Sequence, residues 1–481
     1  TAGIKRVING PMIWSPDSNV LYGPHPDLKN YFCCNGIIPG FSQSGGMGLM
    51  SAQWMVDGES QYDMFAWDVA RFGDWADKAF TKARVGDQYA KRFAIHFPNE
   101  EREAGRPVRT RPIHAVQQAL GGVFGLNYGW EHVQWFADAP GAKDTNGFTR
   151  QNWFEPVGRE CRMLRENAGI IDISNFAKYR VRGPKAADWL NAIFANNMPK
   201  AVGRSCLTPL IGVRGGIAGD FTVTRLADDE FMVIGSGMAE RYHQRFWNMV
   251  PMPEGVSFES LTEAMCGFNV AGPKSRELLQ RLTNTSLATA DFPFMRSKWI
   301  ELAGVDCLAL RVSFTGDLGW ELHCSTEDQL RLYQALLDAG KIFSAGPVGG
   351  RALMSLRVEK GYGSWSREYS PEYWPQEVGL AGLIKLDKEF LHKQAYLAIK
   401  CNPPREILSI VEILDVTVAD ATGGEPIFDK AGNGVGRVTS GTYGYGVNKS
   451  LALCYLKNVA PGDELDVMIL GIPHRAVVLA E

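Results

Sequence analysis

The C-terminal stretch of about eighty residues leaves this chain the fewest options. Ile407 to Leu414, Gly434 to Ser440, Ser450 to Leu456, Glu464 to Leu470 and Ala476 to Ala480 are short runs rich in aliphatic and β-branched residues, divided by glycine turns such as Asp429-Lys-Ala-Gly-Asn-Gly434. Runs of this length bounded by turn formers read as strands. Five or six short antiparallel strands in succession point to a small barrel.

At ~150 residues per domain, 481 residues hold about three domains. Two stretches rich in turn formers, Ala137 to Gly147 and Lys400 to Arg405, mark divisions. Between them both periods occur. Lys185 to Asn196 sets Ala186, Leu190, Ile193 and Phe194 on one helical face, and Glu327 to Asp338 does the same with Leu330, Tyr333, Leu336 and Leu337. Ser325 and Asp328 have the spacing of a capping box, and Gly340 reads as a helix stop. Asp220 to Arg225, Glu230 to Ile234 and Cys307 to Phe314 alternate as strands do. The expected class is α+β with mostly antiparallel sheets.

The N-terminal region predicts a strand and turn over Asn9 to Asp17, a short strand over Tyr31 to Asn35, and a glycine loop from Gly36 to Gly48 that opens a helix over Leu49 to Val56. Backbone N–H groups in such a loop can approach a ring edge or an anion closely, but the signal is weak alone and a tight turn with helix packing is the favoured account. No G-x-G-x-x-G occurs between Thr1 and Phe80. The chain opens on Thr1 rather than Met, and the expectation is a truncated polypeptide.

Composition narrows the function classes. Fifty Lys and Arg against fifty-three Asp and Glu give a net charge of -3, which argues against nucleic acid or an anionic membrane as partner. No run of 18 apolar residues and no secretory signal pattern is present. Nine scattered cysteines without C-x-x-C spacing fit reduced thiols in the cytoplasm, or in the mitochondrial matrix of a eukaryote, and indicate neither a disulfide framework nor a metal site. H-E-x-x-H and G-x-S-x-G are missing too, so metal and serine hydrolysis lose their weight.

Two carboxylates stand out. Gly215-Gly-Ile-Ala-Gly-Asp220 delivers Asp220 at the start of an alternating strand, where it shares a face with Thr222 and Thr224; a turn aspartate is the plain alternative. Phe314-Thr-Gly-Asp-Leu-Gly-Trp-Glu321 places Glu321 between Trp320 and Leu322, a costly position for an acid unless donors meet it. Those donors would be a heterocycle bearing N–H groups, or Arg351 on a helix expected over Gly350 to Val358.

With Trp153-Phe-Glu-Pro-Val-Gly-Arg-Glu160, Gly350 to Gly361 and Val438-Thr-Ser-Gly-Thr-Tyr443, these segments resemble the folate-binding T-protein (aminomethyltransferase) family. The N-terminal pieces Ser15-Pro-Asp17, Trp54-Met-Val-Asp-Gly58 and Pro98 to Pro107 resemble dimethylglycine and sarcosine dehydrogenases, which fuse a flavin-dependent domain to a T-protein-like half. The resemblance implies a remnant of an FAD-dependent oxidoreductase domain over 1–60, a connector over 61–147, a T-protein-like folate domain over 148–399 and a barrel module over 400–481. It implies tetrahydrofolate and FAD as cofactors, a small methylated amine as substrate, and an N-terminal FAD-domain polypeptide as partner. Flavin would oxidise an N-methyl group to the iminium, and tetrahydrofolate would capture the carbon as 5,10-methylenetetrahydrofolate.

Residue by residue, the resemblance makes Asp220 the catalytic carboxylate and Glu321 the acceptor of the pterin's adjacent N–H donors. Leu207, Phe314 and Arg351 would line the pterin slot, and Ser44, Gly45 and Gly46 would lie beside the flavin ring. Three positions depart from the family pattern: Phe314 replaces Tyr, Ser236 replaces Asn, and Gly382 replaces an aromatic residue. Stacking and hydrogen bonds are thereby lost, at about 1 kcal/mol each. Alternatives within the resemblance are a demethylase passing a methyl group directly to tetrahydrofolate, and a non-catalytic folate-binding protein whose Lys-Gly-Cys motif becomes Lys360-Gly361-Tyr362 here.

Overall fold

The computed structural model describes residues 3–480; Thr1, on which the truncation reading turns, lies outside the described residues. Six strands close the C-terminal barrel in the order Ile407–Ile413, Lys449–Leu456, Gly434–Gly444, Pro426–Phe428, Glu464–Ile469 and Ile472–Val478. Alternate residues fill it, among them Val411, Ile413, Ala452, Cys454, Leu465, Val467 and Val478. The Lys449–Leu456 strand is an exception to alternation, because Ser450 through Leu456 are all buried. Its outward Leu451 and Leu453 pack on Val358. Tyr455 stacks on Tyr373 with ring centroids 3.6 Å apart and planes within 5°. The barrel therefore shares a core with the middle domain.

The middle domain holds two sheets. One is wholly antiparallel and has five strands, in the order Ser257–Ser260, Ala177–Arg182, Glu230–Gly235, Ile217–Ala227 and Ser205–Ile211. The other has six: Ser297–Leu302, Val305–Leu310, Gly319–Ser325, Met265–Ala271, Gly169–Asp172 and Gly346–Val348, with only the last pair parallel. Helices Ala186–Ile193 and Glu240–Trp247 cover the outer face of the first sheet, where Phe221, Val223, Phe231 and Val233 meet Leu190, Ile193, Phe246 and Trp247. Gln329–Gly340 covers the second through Leu332, Tyr333 and Leu336, and Tyr333 stacks on Phe268. The helix expected at Arg351 spans Gly350–Val358. Among the described residues no helix is long and apolar enough to cross a membrane.

Four local expectations are corrected. No strand forms over Asn9 to Asp17, where the backbone has turns only from Pro16. The Gly36 to Gly48 segment is not a loop throughout, because one helix runs from Gly40 to Asp57. It forms despite a glycine penalty of about 1 kcal/mol per position because Met47 and Met50 pack on Val20, Tyr22 and Met64. Gly340 does not turn the chain: its φ is -68°, the helix continues as a 3-10 turn, and Ser344 takes the left-handed conformation. The strand expected to reach Phe314 ends at Leu310, and residues 311–318 cross the sheet edge as a loop. The Ser325 hydroxyl accepts the Asp328 N–H at 3.1 Å in the turn that leads into the helix at Gln329.

Candidate functional site

Register decides where the two carboxylates face. Leu207 lies opposite Thr222, and Thr222 lies opposite Ile234, so these side chains share one face of the first sheet with Asp220. On the second sheet Leu310 lies opposite Glu321 and Leu308 opposite His323. Ile234, Leu308 and Leu310 pack in a single cluster. The Asp220 face and the Glu321 face therefore look into one space between the sheets.

Asp220 is half-buried and pairs in register with Pro209, which has no N–H to offer. Burial pushes its carboxyl up to about 6. Behind it the fully buried His243 packs edge-on to Phe221 at 4.8 Å, and burial holds this imidazole down to about 3. His243 is thus neutral at physiological pH and does not compete for the Asp220 charge. Tyr369 lies within the field of Asp220, which adds to the burial that raises its phenol.

Glu321 has a different setting. Its carboxylate lies 3.5 Å from Nε2 of the buried His323, whose pKa burial lowers. In register it opposes Asn269, whose amide donates to the Val312 and Trp320 carbonyls and whose oxygen accepts from Ser313. Asn269 is thus occupied by Val312, Trp320 and Ser313, which leaves Glu321 with His323 Nε2 at 3.5 Å as its neighbouring donor. Among the described residues Glu321 accepts no conventional hydrogen bond, so a half-buried acceptor faces the space between the sheets.

Phe314, carried on that loop, stacks on Tyr362 at 6.0 Å and 27°. Tyr362 is the residue sequence reading valued only as a missing cysteine, and it supplies a second ring beside Phe314. Ser236 follows directly on the Glu230–Gly235 strand of the Asp220 sheet. At Gly382 a Cβ would meet nothing within 4 Å, so this position has room for a side chain.

The structure does not join Arg351 to Glu321. Its guanidinium makes a bidentate pair with Asp144 at 2.9 and 2.8 Å and lies over the Trp153 ring, beside a cavity of about 170 Å³ between the Gly350–Val358 helix and the barrel. Asp144, from the loop at 137–147, is also held by Trp135 Nε1 at 2.7 Å. Ser44, Gly45 and Gly46 lie within the Gly40–Asp57 helix, where their N–H groups face carbonyls one turn back. No described atom lies within 4 Å of a Cβ built on either glycine.

A family model for the GCVT N-terminal domain matches residues 113–388, and one for the glycine cleavage T-protein C-terminal barrel domain matches 410–481. The chain belongs to the glycine cleavage T-protein family. In this T-protein chain residues 57–110 additionally match the FAD dependent oxidoreductase central domain. Mitochondrial dimethylglycine dehydrogenase of Mus musculus is 34% identical across 100% of the chain and 56% of its own length. Mitochondrial sarcosine dehydrogenase of the same organism is 29% identical over 96% of the chain and 55% of its length. The chain thus spans about half the length of these curated relatives. The crystal structure of glycine cleavage system aminomethyltransferase T from Bartonella henselae superposes with a TM-score of 0.67 over 77% of this chain and 97% of its own, at 22% identity, a likeness of fold. The resemblance carried by the glycine-carboxylate motifs is borne out, and with it the α+β T-protein architecture with its closed barrel.

Proposed function

We propose that this chain is the folate-dependent half of a dimethylglycine- or sarcosine-type dehydrogenase, taking a one-carbon unit from an N-methylated amine to give 5,10-methylenetetrahydrofolate. The observation that carries the reading is Glu321, a half-buried carboxylate whose neighbouring donor is His323 Nε2 at 3.5 Å and which otherwise accepts no hydrogen bond among the described residues, facing the same space as Asp220. Adjacent N–H donors of a reduced pterin match a carboxylate edge in a bidentate pair worth about 1.5–3 kcal/mol. Leu207 and the Phe314–Tyr362 rings supply apolar surface for the heterocycle.

In this reading the carbon arrives at the iminium or formaldehyde oxidation level. The two folate nitrogens each form a bond to it, and amine or water leaves. Asp220, ionised above pH ~6, takes the proton released from the attacking nitrogen.

The Ser44–Gly46 segment, which the family resemblance sets beside the flavin ring, is an exposed turn of the Gly40–Asp57 helix, and no step here is routed through the flavin. A flavin-domain polypeptide seated on the exposed Phe41, Leu49, Met55 and Val56 of the Gly40–Asp57 helix would bring the cofactor. The relatives' mitochondrial names and the nine free cysteines support a reducing compartment, the cytoplasm or the mitochondrial matrix.

Tetrahydrofolate titrated into the chain should quench tryptophan fluorescence saturably, and Glu321→Gln should weaken binding roughly 10- to 100-fold. Wild-type chain that shows no saturable binding sinks the reading.

A further inference from the structure

A second cavity, of about 510 Å³, opens where the Lys78–Ala90 helix and the connector meet the middle domain, away from Asp220 and Glu321. Phe72, Trp75, Phe80 and Tyr128 form its aromatic wall, with Trp75 edge-on to Phe80 at 5.3 Å and to Tyr128 at 5.7 Å. Of the three arginines that reach it, Arg71 is spent on Asp17 and Arg102 on Asp87. Arg84 is not. It is 7% exposed, its guanidinium lies 5.2 Å from the Phe80 centroid, and among the described residues it has no hydrogen-bond or ion-pair partner. Glu101 and Asp87 act on this guanidinium at a distance without touching it, so its donors line the cavity unspent on any described protein acceptor.

The surrounding charges select the anion. Asp63 and Glu101 border the same cavity and each accepts one backbone N–H, from Phe65 and Leu126 respectively, leaving acceptor capacity on both carboxylates. A phosphate would be repelled by them. A molecule with its own cation would be bound at both ends, and a methylated ammonium adds attraction to the aromatic faces.

We propose that this cavity binds a small zwitterionic amino acid, its carboxylate on Arg84 and its amine among Asp63, Glu101 and the aromatic wall. The inference extends the amine half of the reading above and rests on it for the N-methyl preference alone.

The test is isothermal titration of the whole chain with N,N-dimethylglycine, with N,N-dimethylethylamine, which lacks the carboxylate, and with inorganic phosphate. Wild type should bind dimethylglycine saturably, Arg84→Met should weaken it roughly 10- to 100-fold, and Arg84→Lys should recover part of the loss. Because Arg84→Met removes an unpaired buried charge, its melting temperature should equal or exceed that of wild type, which separates lost binding from lost fold. The proposal is overturned if wild type shows no saturable binding, if Arg84→Met binds as tightly, or if phosphate or the plain amine binds as well as dimethylglycine. Tetrahydrofolate titrated in parallel keeps the two readings apart: binding of folate without dimethylglycine overturns this site alone, and the converse overturns the folate reading and supports this one.

Discussion

Arg357 and Glu368 meet at 2.7 Å with neither side chain exposed to solvent. Arg357 also donates to the Tyr362 carbonyl and to Ser440 Oγ, and Glu368 accepts from Ser440, Thr439 and the Ser364 N–H. One ion pair thus joins the Gly350–Val358 helix, the loop carrying Tyr362, and the barrel.

Removing one partner leaves the other charge buried and alone. Arg357→Leu should destabilise by about 3–5 kcal/mol, while Arg357→Leu combined with Glu368→Leu should lose distinctly less. Urea unfolding of the two singles and the double checks this, and strictly additive losses would contradict it.

Asp220 should impose an acid limb on one-carbon capture. Burial raises its carboxyl to about 6, so it is ionised at pH 7 and protonated progressively below pH 6. The rate of methylenetetrahydrofolate formation from formaldehyde, above the uncatalysed reaction, should fall about tenfold per pH unit below that point. In Asp220→Asn the rate should be low and the limb absent.

Acid stability should report on His243. Its folded pKa of about 3 lies below the unfolded ~6.5, so its contribution is complete above pH ~6.5 and is lost as pH falls through that window at about 1.4 kcal/mol per unit. Glu59 and Glu160, raised to about 7 by burial, act in the opposite sense. The comparison of interest is therefore wild type against His243→Phe, melted at pH 7 and pH 4.5. The variant should lose less on acidification.

Gly382 offers a gain. With nothing within 4 Å of its Cβ position, Gly382→Phe should change stability by under about 0.5 kcal/mol. If the aromatic side chain reaches the pterin, folate affinity should rise about 2- to 10-fold, read by the same fluorescence titration. Unchanged affinity would place Gly382 outside the site.

What the sequence made legible follows from the range of the signals. The barrel could be read because two-residue alternation is local, and the strands that carry Asp220 and Glu321 because each follows a glycine turn. The partner of Arg351 could not: Asp144 lies 207 positions away in a polar loop with no periodic pattern. Glu368 carries no local signal either, and its burial depends on Arg357 and Ser440 arriving from other elements. The first half of the Gly40–Asp57 helix was missed because its four glycines read as a loop until Met47 and Met50 find Tyr22. Tyr362 was read for the cysteine it is not, although a ring four residues past the Gly350–Val358 helix was there to be weighed.

The Lys449–Leu456 strand, buried on both faces, bears on how the family's two named domains can be separated. Cutting the chain near residue 400 would uncover Val358 and the Tyr373 ring on one piece and Leu451, Leu453 and Tyr455 on the other, an apolar seam on each fragment. The boundary drawn by sequence families is thus no line of cleavage in the folded molecule, and neither fragment should remain monomeric in solution without the other.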